Sequence, residues 1–349
     1  MLIGLLVILA GLSSFLAYHL THPAKTSFDS LTTPPDTRPP SSGDTVRVSD
    51  VRSFEHALAA AQAGETIRVD GNLRIAGEFT GFDRTIEGGS VNVVLGPGVH
   101  FVGSPVHGTP AVWVHGAGGW RIWGGTITNP GGVGLLFYAL PGPVTWTGFR
   151  VRDTASSCVA VLPVGGNIVG LTLKGLAGTA HPDLSLDPHA EKGTGIHAWN
   201  IADASGGLVE RSTFTADTVD QATGAAVEIK TGQIGPDVTV YARARHLGFP
   251  LPGTSWTGVA KRQVAGNVIQ LWGGTTPGTL DLRYVDGADI KGRLVDTTGV
   301  DPEADLSRVR VGVARASGSI LQNRALSGPA VETVGGMQVS KLSKPLTVP

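Results

Sequence analysis

Cysteine, methionine, tyrosine and charge are all scarce in this chain. Its 349 residues include one Cys, two Met and four Tyr, and only 16% are Asp, Glu, Lys or Arg. A single cysteine, Cys158, excludes an intramolecular disulfide and any Cys-based metal site. Set in the run SSCVAVLP, it reads as a small buried hydrophobe without a chemical role. The formal net charge is −1 and no basic stripe occurs, so the electrostatic footprint of a nucleic-acid-binding protein is missing. Dinucleotide-binding, phosphate-loop, zinc-protease and nucleophile-elbow signatures are missing too. GAGGWRIWGG is glycine-rich, but it leads into a strand pattern instead of opening a helix, which argues against a phosphate cradle. What the chain has in quantity is glycine, 50 residues, with 22 prolines and an apolar fraction of 41%. That apolar content is ample for a large core and excludes wholesale disorder.

The N-terminus differs from everything after it. MLIGLLVILAGLSSFLAYHL carries no Lys, Arg, Asp or Glu and is long enough to cross a bilayer as a helix. The alternative is a cleaved signal peptide, cut near Ala17 or Ala24, although a positively charged leading region is lacking. The stretch that follows, TSFDSLTTPPDTRPPSSGDT, has the composition of an extended tether. We therefore expect a transmembrane or signal-anchor helix in 1–22, a linker in 23–45 and a folded domain in 46–349. The expected location is the extracellular side, anchored in the plasma membrane, or secreted if the segment is cleaved.

From residue 46 onward, one amphipathic helix is predicted, about Ser53 to Ala63. Phe54, Leu58 and Ala61 share its face, Ser53 caps its start and Gly64 ends it. A strand, TIRVDGN, follows. Beyond it the chain shows short β-type runs punctuated by Gly, Pro, Asn and Asp. One segment recurs as GVGLLFY (132–138), SSCVAVL (156–162), GTGIHAW (193–199), GAAVEIK (224–230), GNVIQLW (266–272) and GPAVETV (328–334). Its fourth residue is always aliphatic (Leu135, Val159, Ile196, Val227, Ile269, Val331) and its sixth is nearly always apolar. Strand alternation turns both columns inward. A second family interleaves with it: TWTGFRV, IVGLTLK, LVERSTF, VTVYARA and TLDLRYV. Short strands stacked coil on coil through glycine-rich corners describe an all-β solenoid, with the helix capping the first coil.

These repeats, with the lead-in FEHALAAAQAGETIRVDGN, resemble the right-handed parallel β-helix proteins of the pectate-lyase-like superfamily over about residues 46 to 340. The resemblance implies a polysaccharide as partner. Within that group, the coil order is similar to that of the polygalacturonases. The positions where those hydrolases carry paired carboxylates hold Ser156 and Ser157, the first acid is replaced by Gly and the His position holds Thr194. Only Lys230 survives from their Arg-x-Lys pair. Inverting hydrolysis needs two opposed carboxylates, so this chain departs from that chemistry. DPH at 187–189 is similar to a motif of the alginate C5-epimerases, with Ala190 where those enzymes place an acid.

On the outward side of the repeat, the fifth column reads Leu136, Ala160, His197, Glu228, Gln270, Glu332, and the seventh Tyr138, Leu162, Trp199, Lys230, Trp272, Val334. Aromatic faces beside His, Glu, Gln and Lys suit sugar rings, which offer apolar C–H faces and hydroxyl edges. The candidate catalytic groups are His197, Lys230, Glu228 and His189, any of which could move a proton or support the group that does. Candidate substrate-binding residues are Tyr138, Trp199, Gln270 and Trp272, with Arg243 and Arg245 attracting an acidic glycan. No cofactor is demanded by any motif; Ca²⁺ is the ion that Asp183 and Asp187 would suit. Three readings stay open: a lyase- or epimerase-like enzyme on cell-envelope or extracellular, uronate-containing polysaccharide; a non-catalytic glycan-binding β-helix; or a structural or adhesive surface protein.

Overall fold

The computed structural model describes residues 44–104, 108–154, 156–178, 197–202, 206–220, 222, 224–248, 266–290, 292, 294–313, 332–334 and 337–341. The expected membrane segment, the expected linker up to residue 43, the insertion that carries Asp183, Asp187 and His189, and Val331 lie outside them; Thr45, expected to end the linker, opens the first strand. Among the described residues, no helix is long and apolar enough to cross a membrane.

The first strand, β1 (Thr45–Val48), leads into α1 (Val51–Ala60), the one α-helix among the described residues. Asp50, not Ser53, caps this helix: its carboxylate accepts the Ser53 backbone N–H at 2.9 Å, and the Ser53 hydroxyl donates back to it at 2.8 Å. The cap lies three residues before the predicted one because Asp50 is the last residue still extended. Phe54, Leu58 and Ala61 are buried as the periodicity predicts. Phe54 stacks on Phe79 with ring centres 5.8 Å apart, so α1 closes the open end of the core. The chain then leaves through Gly64, whose φ of +92° is a left-handed turn that glycine adopts without strain.

From there the chain winds through three faces per coil. The first face stacks β1, β2 (Thr66–Val69), β4 (Val91–Leu95), β7 (Trp120–Trp123) and the leading half of β10 (Val144–Thr154), all parallel. It continues through β13 (Leu171–Ala177), β16 (Thr213–Asp220), β18 (Val238–Leu247), β20 (Leu280–Ile290) and β22 (Val309–Val313), while the short β12 (Ile168–Val169) and β15 (Val209–Glu210) pair with each other in a separate two-stranded sheet. The second face stacks β3 (Arg74–Ala76), β5 (His100–Val102), β8 (Thr126–Asn129) and the trailing half of β10. The two faces therefore meet inside single bent strands. Gly148, at φ +70°, forms the bend in β10, next to Gly124 at φ +81° in the coil before. An added Cβ on Gly124 would come within 2.5 Å of the Leu95 carbonyl, so the corner admits no side chain there.

Among the described residues the third face is a seven-stranded parallel sheet. It stacks β6 (Val112–His115), β9 (Leu135–Tyr138), β11 (Val159–Leu162), β14 (Trp199–Ile201), β17 (Val227–Lys230), β19 (Ile269–Gly273) and β21 (Val295–Val300). Four of the six recurring segments enter this sheet as aligned in the sequence: Leu135, Val159, Val227 and Ile269 are stacked and buried. Two do not. In the third segment Val159 pairs with Trp199, and Trp199 with Val227, so Trp199 occupies the position expected for Ile196. The last segment leaves the sheet: β23 (Glu332–Val334) runs antiparallel to β24 (Met337–Lys341) at the edge of the large sheet. Its place on the third face is taken by β21.

Inside, rings fill the first coils. Phe79 packs against Phe82 and Phe101, Phe82 against Trp120 and Trp146, and Trp146 against Phe149, with centroids 5.1 to 6.1 Å apart. Phe149 reaches Trp199 at 5.9 Å, which makes Trp199 the far end of an aromatic column that begins at the capping helix. The indole N–H groups of Trp120 and Trp146 donate to the carbonyls of Arg84 and Gly124, each at 2.9 Å, as buried indoles need. At the corner between the second and third faces, buried Asn129 donates to the carbonyls of Thr109 and Val133 and accepts the Gly131 N–H. Ser156 and Ser157 sit at the same corner one coil later, also buried. Cys158 is wholly enclosed, and burial pushes its thiol up to about 12, so it is inert as a nucleophile.

Candidate functional site

Register brings the outward residues of the third face into two rows. Trp113, Leu136, Ala160, Asn200, Glu228, Gln270 and Asp296 are paired in succession along the first. His115, Tyr138 and Leu162 are paired along the second, and Lys230 and Trp272 continue it two coils on. The row through Glu228 is largely enclosed, whereas Tyr138, Leu162, Lys230 and Trp272 are half-buried and form its accessible border.

The expected wall of His197, Trp199, Glu228, Lys230, Gln270 and Trp272 holds in part. Glu228, Gln270, Lys230 and Trp272 occupy it, because VEIK and IQLW alternate about buried Val227, Ile229, Ile269 and Leu271. Trp199 does not. It is a core residue with 0% exposure, and Asn200 takes the outward place in its coil. The physical reason is volume: an inward indole at this level meets Phe149, while the residue after it, Asn200, is the polar one that solvent or a ligand tolerates. His197 consequently lies two residues ahead of its strand, at the corner, and not in the middle of the wall.

From that corner His197 still reaches Glu228. Its Nδ1 accepts the Ala225 backbone N–H at 2.9 Å, and its Nε2 lies 2.8 Å from Glu228 Oε2. An acceptor at Nδ1 places the neutral ring's proton on Nε2, which therefore donates to the carboxylate. Burial alone would raise the Glu228 carboxyl; the His197 bond and the Lys230 charge outweigh it, with a smaller contribution from Trp272, and hold it below the usual carboxylate range. With both ring nitrogens engaged, His197 is a clamp that joins two corners and fixes an ionised Glu228. The imidazole is not presented as a base. The ammonium of Lys230 stands over the Trp272 indole, 5.1 Å from the ring centre, a cation–π arrangement beside the Glu228 charge. In the next coil Gln270 Oε1 is buried without a hydrogen-bond partner among the described residues, and Asp296 accepts from Asn267 Nδ2 at 3.0 Å.

Arg243 and Arg245 are elsewhere. They are strand residues of β18 in the large sheet, and Arg243 faces Asp217 at 3.9 Å. The alternation A-R-A-R, with Ala242 and Ala244 buried, is the strand signal that places them. Tyr138 is on the third face, but four coils from Trp272, on the order of 19 Å at ~4.8 Å per coil. There it joins two residues the sequence reading passed over: Trp113, whose ring centre is 5.4 Å from that of Tyr138, and His115. VWVH (112–115) has the same inward–outward alternation as the recurring segments and is preceded by Thr109 where they open on Gly or Ser. His189, Asp183 and Asp187 lie outside the described residues; among those residues no group of three or more His, Cys, Asp or Glu is arranged to hold a metal ion.

Parallel strands stacked in three faces, with a helix closing the first coil, define a parallel β-helix. Among solved structures the chain is similar to pectate lyase Pel9A, with a TM-score of 0.51 and 13% identity over 80% of this chain and 73% of that one. At that identity the likeness concerns the course of the backbone. No protein-family model matches the chain, and no curated protein matches it in sequence.

Proposed function

We propose that this is an exported, membrane-tethered β-helix protein that acts on a uronate-containing polysaccharide lying across the coils of the third face. The observation that carries the reading is Lys230, half-exposed and seated over Trp272 beside the ionised Glu228. An indole face covers the apolar side of a sugar ring, and an ammonium next to it neutralises a ring carboxylate. Gln270 adds an unspent acceptor for a hydroxyl. The backbone likeness to a pectate lyase supports the same substrate class. The fold alone does not specify chemistry, so the residues carry the argument.

Lyase- or epimerase-like turnover is the finer form of this proposal. Removing the proton next to a uronate carboxylate needs a base and a charge that stabilises the resulting anion. Lys230 supplies the charge. His197 is held at both nitrogens, so the base would come from outside the described part of the wall. The stretch with Asp183, Asp187 and His189 ends in sequence at His197, which makes His189 the residue to test and the two aspartates the ones to test for Ca²⁺. The full chain is incubated with polygalacturonate, alginate and a neutral glucan, with and without Ca²⁺. Unsaturated-uronate absorbance, reducing ends and calorimetric binding are then read. Product from an acidic glycan supports the enzyme reading, and binding without product supports the non-catalytic one. Neither binding nor product on any acidic glycan would sink both. The tether is tested by fractionation: the full chain should pellet with membranes and be shaved from intact cells by added protease.

A further inference from the structure

The other end of the third face carries a second cluster. Phe79 bridges Val112 in parallel, so the segment running on to Asp83 belongs to the coil before β6, and His115 is the register partner of Tyr138 in the coil after. Asp83, His115 and Tyr138 thus come from three successive coils. One Asp83 oxygen accepts the His115 backbone N–H at 2.9 Å and the other lies 3.5 Å from the ring Nδ1. The carboxylate side chain is 21% exposed and the imidazole 57%, so the acid is set back and the ring stands forward. With the Asp83 carboxylate facing it, Nδ1 is the nitrogen that carries the proton in the favoured tautomer of the neutral imidazole, and the Nε2 lone pair is turned to the side away from Asp83. Trp113 centres this group, 5.7 Å from the His115 ring and 5.4 Å, edge-on, from Tyr138. Burial raises the Tyr138 hydroxyl, which keeps it a hydrogen-bond donor.

We propose that Trp113, His115 and Tyr138, with Asp83 positioning the imidazole, form a second saccharide subsite for a sugar ring of the same polysaccharide held at Lys230 and Trp272. The proposal rests on the polysaccharide reading and adds the direction and minimum length of the bound chain. A ring packs its C–H face on the aromatic group, one hydroxyl donates to His115 Nε2 and another accepts from Tyr138. Five coil steps separate His115 from Trp272, about 24 Å at ~4.8 Å per step. Only a chain of several sugars engages both ends, and joining two weak ends raises the affinity of a long ligand well above that of a short one.

The test titrates the full chain by calorimetry with polygalacturonate and alginate polymers and with their trisaccharides. His115→Gln and Asp83→Asn are each expected to lower polymer affinity about tenfold, the scale of one lost hydrogen bond in a bound state. Acidic-trisaccharide binding should be lost in Lys230→Ala and kept in His115→Gln. Asp83→Asn retains an oxygen for the backbone N–H while removing the charge, so its second readout is the His115 ring nitrogen pattern by NMR. An unchanged tautomer pattern overturns the positioning role. If Lys230→Ala weakens polymer binding while His115→Gln leaves it untouched, the second subsite is wrong and the proposed function stands. If no polymer binds the unaltered chain, both fall.

Discussion

The early and late coils of this solenoid hold their register by different means. Up to Trp199, the interior is a column of aromatic rings that runs from Phe54 through Trp146. Beyond it, among the described residues, only Phe214 adds a buried ring, and the core is Val, Ile, Leu and Ala. Ionisable side chains show the opposite trend. Among the described residues the buried carboxylate and imidazole groups, Glu228, Asp281, Asp296 and His197, all lie at or after the end of the ring column. Rings of unequal size and shape interlock only with particular neighbours and so determine which coil sits on which. Aliphatic coils are nearly interchangeable, and there the pairing is determined by bonds such as His197 to Glu228, Asn267 to Asp296 and Arg310 to both oxygens of Asp281. The accessible border of the wall changes in step, from His115 and Tyr138 early to Lys230 and Trp272 late.

The sharpest way to break this contrast is to remove a ring. Trp146→Ala should cost about 4 kcal/mol by equilibrium denaturation, since a fully buried indole leaves a cavity its neighbours fill only in part. Next comes Glu228→Ala, expected to cost about 2 kcal/mol because it leaves the buried His197 Nε2–H without its acceptor. That effect depends on pH. The folded carboxyl of Glu228 sits below its unfolded value, so its contribution is complete above the ordinary carboxylate range and disappears as pH falls through the folded value. Urea midpoints of the unaltered chain and Glu228→Gln should therefore converge at acid pH and separate toward neutrality. Gly148→Ala, forcing a side chain into a left-handed bend, should cost roughly 1–2 kcal/mol in the same assay. Ile229→Val, in the aliphatic late core, should cost only about 1 kcal/mol. If Ile229→Val proves as damaging as Trp146→Ala, the two halves are not distinct.

Much of the scaffold was legible in the residues. Alternating columns in LLFY, VAVL, VEIK and IQLW identified third-face strands, and the helix face of Phe54, Leu58 and Ala61 was read from its 3.6-residue spacing. The coil of Trp199 was misread because GTGIHAW imitates the glycine lead-in of its neighbours. WNI, which alternates apolar, polar, apolar, was the better strand, and it places an Asn in line with Glu228 and Gln270. GPAVETV imitated the same pattern, yet its strand pairs antiparallel at the sheet edge; partner choice there depends on which chain edge is open, which no local pattern records. Of the site, the Glu228–Lys230–Gln270–Trp272 group was readable from strand alternation. The contact of His197 with Glu228 was not, since it depends on a corner meeting a strand of the next coil.

Inward-pointing Trp199 has a consequence for the length of chain ahead of it. The connection from Thr154 to Val159 is a handful of residues; the one from Ala177 to Trp199 is some five times longer. Loop-closure entropy grows only logarithmically, so the longer connection costs about 1.4 kcal/mol more than the short one. Burying a single indole at its far end outweighs that difference. Insertions at this corner are therefore thermodynamically cheap as long as the strand behind them is pinned, and the β-helix can alter what borders its third face without refolding a coil.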